Sequence, residues 1–264
     1  MVVLLLPGMS LNATIFPPLD IPTVTADFTR LVLGPDGSSP DLLARRMGVY
    51  VDLLDRELDA RAEWKSADRR IVVGHSFGGM LAMAWWLAHG GTGPARVDGM
   101  VLCSTTAGPL FGAARLGTRL RIPLSPIMRQ WNRPAVTRII KRLTSGSLHH
   151  VETANFQELR PRTDFAIDLA GWRNTDWRAM RSFRLALRGF DVRRRLKEIT
   201  VPVIVLHGTR DSVLPPSLGQ ELEDGLPKAE LRLVKDAGHG LPLTHAAEVR
   251  SAVARVCAYS PPRQ

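Results

Sequence analysis

The chain has 264 residues, of which 45% are hydrophobic, and a formal net charge of +10. That is enough apolar material for one large domain with a full core. Two cysteines, Cys103 and Cys257, are too few for a disulfide framework and fit a reduced, cytoplasmic setting. No window approaches the roughly 20 apolar residues that cross a bilayer, so a soluble chain with no membrane partner is expected.

The positive charge is unevenly spread. Residues 1–107 hold 9 Lys/Arg against 11 Asp/Glu, residues 108–197 hold 19 against 6, and residues 198–264 hold 7 against 8. Only the middle segment is basic. This weighs against nucleic acid as a partner of the whole protein and marks 108–197 as a separate insert. Arg outnumbers Lys 30 to 5, a bias that genomic base composition explains as readily as anion recognition does.

In chain order, residues 2–6 form a short apolar run with no basic flank, ending at Pro7-Gly8; they read as a buried strand rather than a secretory leader. Residues 41–58 repeat apolar positions at three and four, as an amphipathic helix does. A second strand over 71–73 leads through a glycine turn into an apolar helix over 77–89, which Gly90-Gly91 stops. Residues 100–103 read as a third strand. From about Gly108 to Leu196 the alternation lapses into Arg, Trp and Leu mixed with Pro and Gly, and this stretch is expected to form a helical cap. Strands return over 203–206 and 231–234, and a short tail ends the chain. Alternating strands and helices predict an α/β fold with a mainly parallel sheet and helices on both faces. The core is expected over 1–107 and 198–264, with the basic cap over 108–197 inserted in it.

The sharpest local signal is Gly74-His75-Ser76-Phe77-Gly78-Gly79, a Gly-x-Ser-x-Gly between a strand and a helix. A serine there occupies a strained turn with its hydroxyl exposed at a helix N-terminus, and side chains on the flanking glycines would collide with neighbouring backbone. The arrangement is a nucleophile elbow. A hydroxyl needs a base to become nucleophilic, and seven histidines compete for that role. His239, on the glycine-flanked loop Gly238-His239-Gly240 after a strand, is the choice. His207 ends a strand, His245 reads as part of the last helix, His75 is expected to point away from its neighbour, and His89, His149 and His150 look like surface or cap residues. The acid is expected in the order Ser, Asp, His, and Asp211 leaves an apolar strand through His207-Gly208. An aspartate in such a turn ordinarily bonds its own backbone; Asp224 and Asp236 are rivals, but neither leaves the end of an apolar strand in this way. Backbone N–H groups of Phe77 and of Met9, in the loop after the first strand, are the candidates for an oxyanion hole.

Four motifs, Leu6-Pro7-Gly8-Met9, the elbow, Val201-Pro202-Val203 through His207-Gly208 to Asp211, and Gly238-His239, make the chain resemble the α/β-hydrolase superfamily. The similarity lies in the branch of small carboxylesterases, meta-cleavage hydrolases and cofactor-free haloperoxidase-like proteins. The resemblance implies a cap seated over the serine, acylation of Ser76, and release of the acid by water that His239 activates. The chain departs from the family at four places. Where many relatives have a strand hairpin before the first strand, Met1 enters that strand almost directly, so the sheet is expected to be short at one edge. Pro7-Gly8 replaces His-Gly, the loop Gly34-Pro35-Asp36-Gly37-Ser38-Ser39 is degraded, and the glutamate often found after the catalytic histidine is missing, with Thr244-His245 nearby.

Hydrolysis of a carboxylic ester or thioester is the leading expectation. Elimination, ring closure or carbon–carbon cleavage on a biosynthetic intermediate uses the same fold. The basic insert fits an acidic carrier, such as an acyl-carrier protein or a coenzyme A thioester, and an inert binding protein is the remaining alternative. No cofactor is called for, and no His/Cys/carboxylate spacing suits a metal. The aromatics Trp131, Phe165, Trp172, Trp177 and Phe183 are candidates for core packing or for the acyl pocket.

Overall fold

The computed structural model describes residues 1–9, 11–26, 28, 46–109, 182–183 and 185–259. The strands are β1 (Val2–Leu6), β2 (Thr23–Thr25), β3 (Arg70–His75), β4 (Gly99–Cys103), β5 (Val203–Gly208) and β6 (Ala229–Val234). They form a six-stranded sheet in the order β2-β1-β3-β4-β5-β6, and all five pairings are parallel. The principal helices are α1 (Met47–Asp59), α2 (Ala62–Lys65), α3 (Phe77–His89), α4 (Ser217–Gly225), α5 (Leu241–Thr244) and α6 (Ala246–Tyr259).

β1 and β4 are buried at every position, because a parallel strand covered on both faces needs apolar side chains throughout rather than alternation. Alternate residues supply two cores. Leu4, Leu6, Val72, Leu102 and Val205 pack with α1 and α3, whereas Val3, Leu5, Val73, Val101 and Ile204 pack with Val249, Val253 and Val256 of α6. α1 buries Met47, Tyr50, Val51, Leu54 and Leu58, a stripe at helical spacing. α3 is buried almost all round and ends at Gly90, whose left-handed φ of 58° lets its N–H reach the Trp86 carbonyl.

β2 has no counterpart among the strands expected from sequence. Its three residues, with one buried side chain, are too few for a period to emerge, and only pairing with β1 identifies it. The helix expected over 41–58 is described from Met47; residues 41–45, and the loop at 34–39, lie outside the described residues. So does most of the expected cap, including Trp131, His149, His150, Phe165, Trp172 and Trp177. The described part of that segment is not a detached layer. Phe183, Ala186, Leu187, Phe190 and Leu196 join the same core as α1 and α3.

Strand order fixes where the site lies. The chain moves from β1 outward to β2 and then returns to the other side of β1 as β3, so connections leave the carboxyl ends of β1 and β3 in opposite directions and open a crevice there. Leu6 and Gly74 are in register at that point. The loop after β1 and the elbow after β3 therefore meet.

Candidate active site

Ser76 adopts φ 51° and ψ −117°, a left-handed backbone that non-glycine residues seldom accept. The surroundings hold it there. A Cβ on Gly74 would stand 2.7 Å from Gly79 Cα, and one on Gly78 would stand 2.0 Å from the Leu6 carbonyl oxygen. Helix α3 can start this close to β3 and β1 only because both positions lack side chains. The Ser76 carbonyl accepts from Gly79 N–H at 3.0 Å and Met80 N–H at 3.2 Å. It also accepts from the Thr105 hydroxyl at 2.6 Å.

Asp211 and His239 arrive on separate turns that are stitched together. Thr209 N–H donates to the Val234 carbonyl, and Arg210 N–H to the Ala237 carbonyl at 2.9 Å. Gly208 has no side chain, and a Cβ there would come within 2.3 Å of that Ala237 oxygen. Asp236 takes a left-handed φ of 61° between β6 and the histidine, which turns the chain back over the sheet edge. The carboxyl ends of β5 and β6 thus deliver the two side chains to one place.

The structure brings Ser76, His239 and Asp211 into one hydrogen-bonded chain. His239 Nε2 lies 3.1 Å from Ser76 Oγ, and His239 Nδ1 lies 2.9 Å from Asp211 Oδ2. A carboxylate only accepts, so Nδ1 carries the proton and Nε2 presents its lone pair to the serine hydroxyl. Asp211 Oδ1 accepts from Val213 N–H at 2.9 Å and Leu214 N–H at 2.8 Å. The aspartate is therefore a turn-former through one oxygen and a histidine partner through the other. Both residues are 6% exposed.

Burial by itself would raise the Asp211 carboxyl. The hydrogen bond from His239, the positive charge that ring can carry, and the Leu214 N–H outweigh it and hold the group below the usual carboxylate range. The acid stays ionised beside the imidazole. His207, fully buried at the end of β5, places Nε2 2.9 Å from the Leu214 carbonyl and 3.6 Å from Asp211 Oδ2. Burial lowers its pKa, so this contact is not an ion pair; the neutral ring donates to Leu214 and braces the acid turn.

The other candidates separate cleanly. Asp236 pairs with Arg210 on the surface, and Asp224 takes the Gln220 amide on α4. His245 is not within the last helix but between α5 and α6, and its Nδ1 meets the Thr244 hydroxyl. His89 pairs with Asp55. Met9 follows β1, and Phe77 is the first residue of α3; neither N–H has a hydrogen-bond acceptor among the described residues. The Phe77 ring packs edge-on against Phe28, Tyr50 and Phe183 at 5.8, 5.0 and 5.0 Å, which ties the residue after the serine to the return of the basic segment. The Tyr50 hydroxyl and the Ser182 hydroxyl, 2.9 Å apart, complete that tie. Thr105, whose hydroxyl meets the Ser76 carbonyl, escapes sequence reading. Its signal is position, since β4 is the neighbour of β3 and His75 is in register with Cys103. Among the described residues no group of three or more His, Cys, Asp or Glu side chains is arranged to hold a metal ion, and no helix is long and apolar enough to cross a membrane.

Residues 3–252 match the model of the alpha/beta hydrolase family. The chain belongs to that family. The relatives compared with it are distant. A 2-hydroxy-6-oxononadienedioate/2-hydroxy-6-oxononatrienedioate hydrolase of Cupriavidus pinatubonensis is 25% identical over 85% of this chain and 74% of its own length. RutD of Variovorax paradoxus is 26% identical over 67% of this chain, and YisY of Bacillus subtilis, an AB hydrolase superfamily protein, is 34% identical over 27%. The matches span 61% of the RutD length and 26% of the YisY length. Among solved structures, a bromoperoxidase from Bacillus anthracis superposes with a TM-score of 0.68 at 19% identity, over 97% of this chain and 91% of that one. An enol-lactonase from Burkholderia xenovorans gives 0.67 at 19% identity, with the same coverages. At such identities the solved structures speak for this family member's fold alone.

Proposed function

We propose that the protein is a serine hydrolase that cleaves a carboxylic ester or thioester through an acyl-enzyme on Ser76. The observation that carries this reading is the chain Ser76 Oγ, His239 Nε2, His239 Nδ1, Asp211 Oδ2, with links of 3.1 and 2.9 Å. His239 takes the Ser76 proton as Oγ attacks the carbonyl carbon, and Asp211 stabilises the resulting imidazolium. The N–H groups of Met9 and Phe77 receive the developing oxyanion, a contribution of about 2.7–4 kcal/mol from one such donor. The imidazolium then protonates the leaving alcohol or thiol. Water, deprotonated by the same nitrogen, attacks the acyl carbon and releases the acid. Turnover of short p-nitrophenyl acyl esters, and covalent labelling by a fluorophosphonate, test the reading. Wild type should do both and Ser76→Ala neither; equal turnover by the two proteins removes Ser76 as the nucleophile.

The C. pinatubonensis relative, named as a hydrolase of 2-hydroxy-6-oxo dienedioates, favours a second reading in which the hydrolysed bond is carbon–carbon beside an activated ketone. Assay of such a dienedioate against the p-nitrophenyl ester separates the two, since the preferred class should win in kcat/KM. The charge of the basic segment favours a carrier-bound acyl substrate as a variant of the first reading. Of the segment's described cations, Arg193 pairs with Asp191 and Glu221, and Arg195 pairs with Glu198. Rates on acyl-carrier substrates that fall as salt rises would support steering by the remaining charges.

A further inference from the structure

Three imidazoles and one carboxylate gather at the carboxyl edge of the sheet, and the relay proposed above uses only His239 and Asp211. His75, the last residue of β3, adjoins the serine, the histidine loop and the loop after β1. It adjoins Ser76 in the chain. Its Nε2 lies 2.8 Å from the His239 carbonyl oxygen, and its ring centroid lies 5.1 Å from that of His239. A Cβ on Gly8, in the loop that supplies Met9, would stand 2.9 Å from its Nδ1. The ring therefore fills space that Gly8 leaves open.

Packing does not by itself account for a histidine at this position. The side chain is 1% exposed, and its Nδ1 has no hydrogen-bond partner among the described residues. A hydrocarbon of the same size would avoid that idle polar atom. The Nε2 contact is what a hydrocarbon cannot supply. A carbonyl oxygen only accepts, so Nε2 carries the proton. Burial first, and the neighbouring His239 second, hold the ring neutral; the titratable groups facing it are His239, Asp211 and His207.

We propose that His75 is a positioning residue, whose Nε2–H, donated to the His239 carbonyl oxygen, anchors the histidine loop so that His239 Nε2 stays within reach of Ser76 Oγ. Asp211 holds the His239 ring at Nδ1 and His75 holds its backbone. The two holds, one on the ring and one on the backbone, together bear on where Nε2 sits. The inference rests on the serine-hydrolase reading.

The test compares His75→Gln, His75→Asn and His75→Leu with wild type, measuring kcat and KM on a p-nitrophenyl ester per active site titrated to completion with a fluorophosphonate. Gln carries its amide nitrogen about where Nε2 sits, and Asn about where Nδ1 sits, out of reach of the carbonyl. Expected are a kcat within about threefold of wild type for Gln, and a loss of about 10- to 100-fold for Asn and Leu, with KM within about twofold throughout. A merely structural role would lower the fraction of titratable sites and leave kcat per site unchanged. Should Leu fail to fold, the contrast of Gln with Asn decides. Asn with wild-type kcat per titrated site, or Gln falling as far as Asn, overturns the assignment. Failure of wild type to label, or turnover by Ser76→Ala, overturns the hydrolase reading instead.

Discussion

Asp211 Oδ2 stands 2.9 Å from His239 Nδ1 on the carboxyl edge of the sheet, and Asp55 Oδ2 stands 2.9 Å from His89 Nε2 between α1 and α3. The separations are the same and the settings differ. The first pair is sealed, with side chains 0% and 7% exposed, and the second is open at 23% and 29%. The first has a strained serine on the far nitrogen of its imidazole; the second shares its carboxylate with the Trp85 indole N–H at 2.7 Å, a donor with nothing to transfer. An Asp–His contact is therefore not a site. Low dielectric and a hydroxyl on the far side suit the first pair to the proposed relay, while the partly exposed pair fastens two helices.

Breaking each pair sharpens this contrast. The largest effects are expected from Ser76→Ala, lowering kcat on a p-nitrophenyl ester by about 10⁶-fold, and Asp211→Asn, lowering it by about 10⁴-fold; a comparable loss in Asp55→Asn would erase the distinction. Next comes acid sensitivity. An unfolded His75 binds its proton near 6.5, whereas burial and His239 hold the folded ring's pKa down to about 3. Between those limits the unfolded state binds more protons, so stability falls as pH falls. His207 acts in the same direction. His75→Gln should flatten that acid limb in chemical denaturation measured from pH 7 to pH 4, and an unchanged slope would remove His75 as its source.

Smaller effects follow from the supports. Thr105→Val keeps a methyl against Gly79 but removes the donor to the Ser76 carbonyl. Stability should drop by about 1 kcal/mol in urea titration, with kcat reduced severalfold as the elbow loosens. The least effect belongs to the open pair: His89→Ala should cost under about 1 kcal/mol and leave kcat unaltered.

Much of this molecule is legible residue by residue. Val2–Leu6 and Phe77–His89 need no tertiary context, since an unbroken apolar run between turn residues and a glycine-stopped helix are local events. The elbow is equally local, because Gly74, Ser76 and Gly78 lie within one turn. Thr23–Thr25 illustrates the opposite case, a strand by virtue of its neighbour. His75, Thr105 and His207 do as well. Each sits at or beside a strand end without a motif to mark its part, and each owes that part to a partner 164, 29 or 7 residues away.

Local chemistry by itself thus determined the parallel α/β order, the strained serine, and which histidine and aspartate stand at strand ends. Only the tertiary structure decided that these groups meet within hydrogen-bond distance, that Asp211 divides its two oxygens between its own turn and His239, and that His239 is also held at its backbone. Strand and turn propensities act over a few residues. Distances between loops are set instead by strand register, and by which backbones glycine allows to touch.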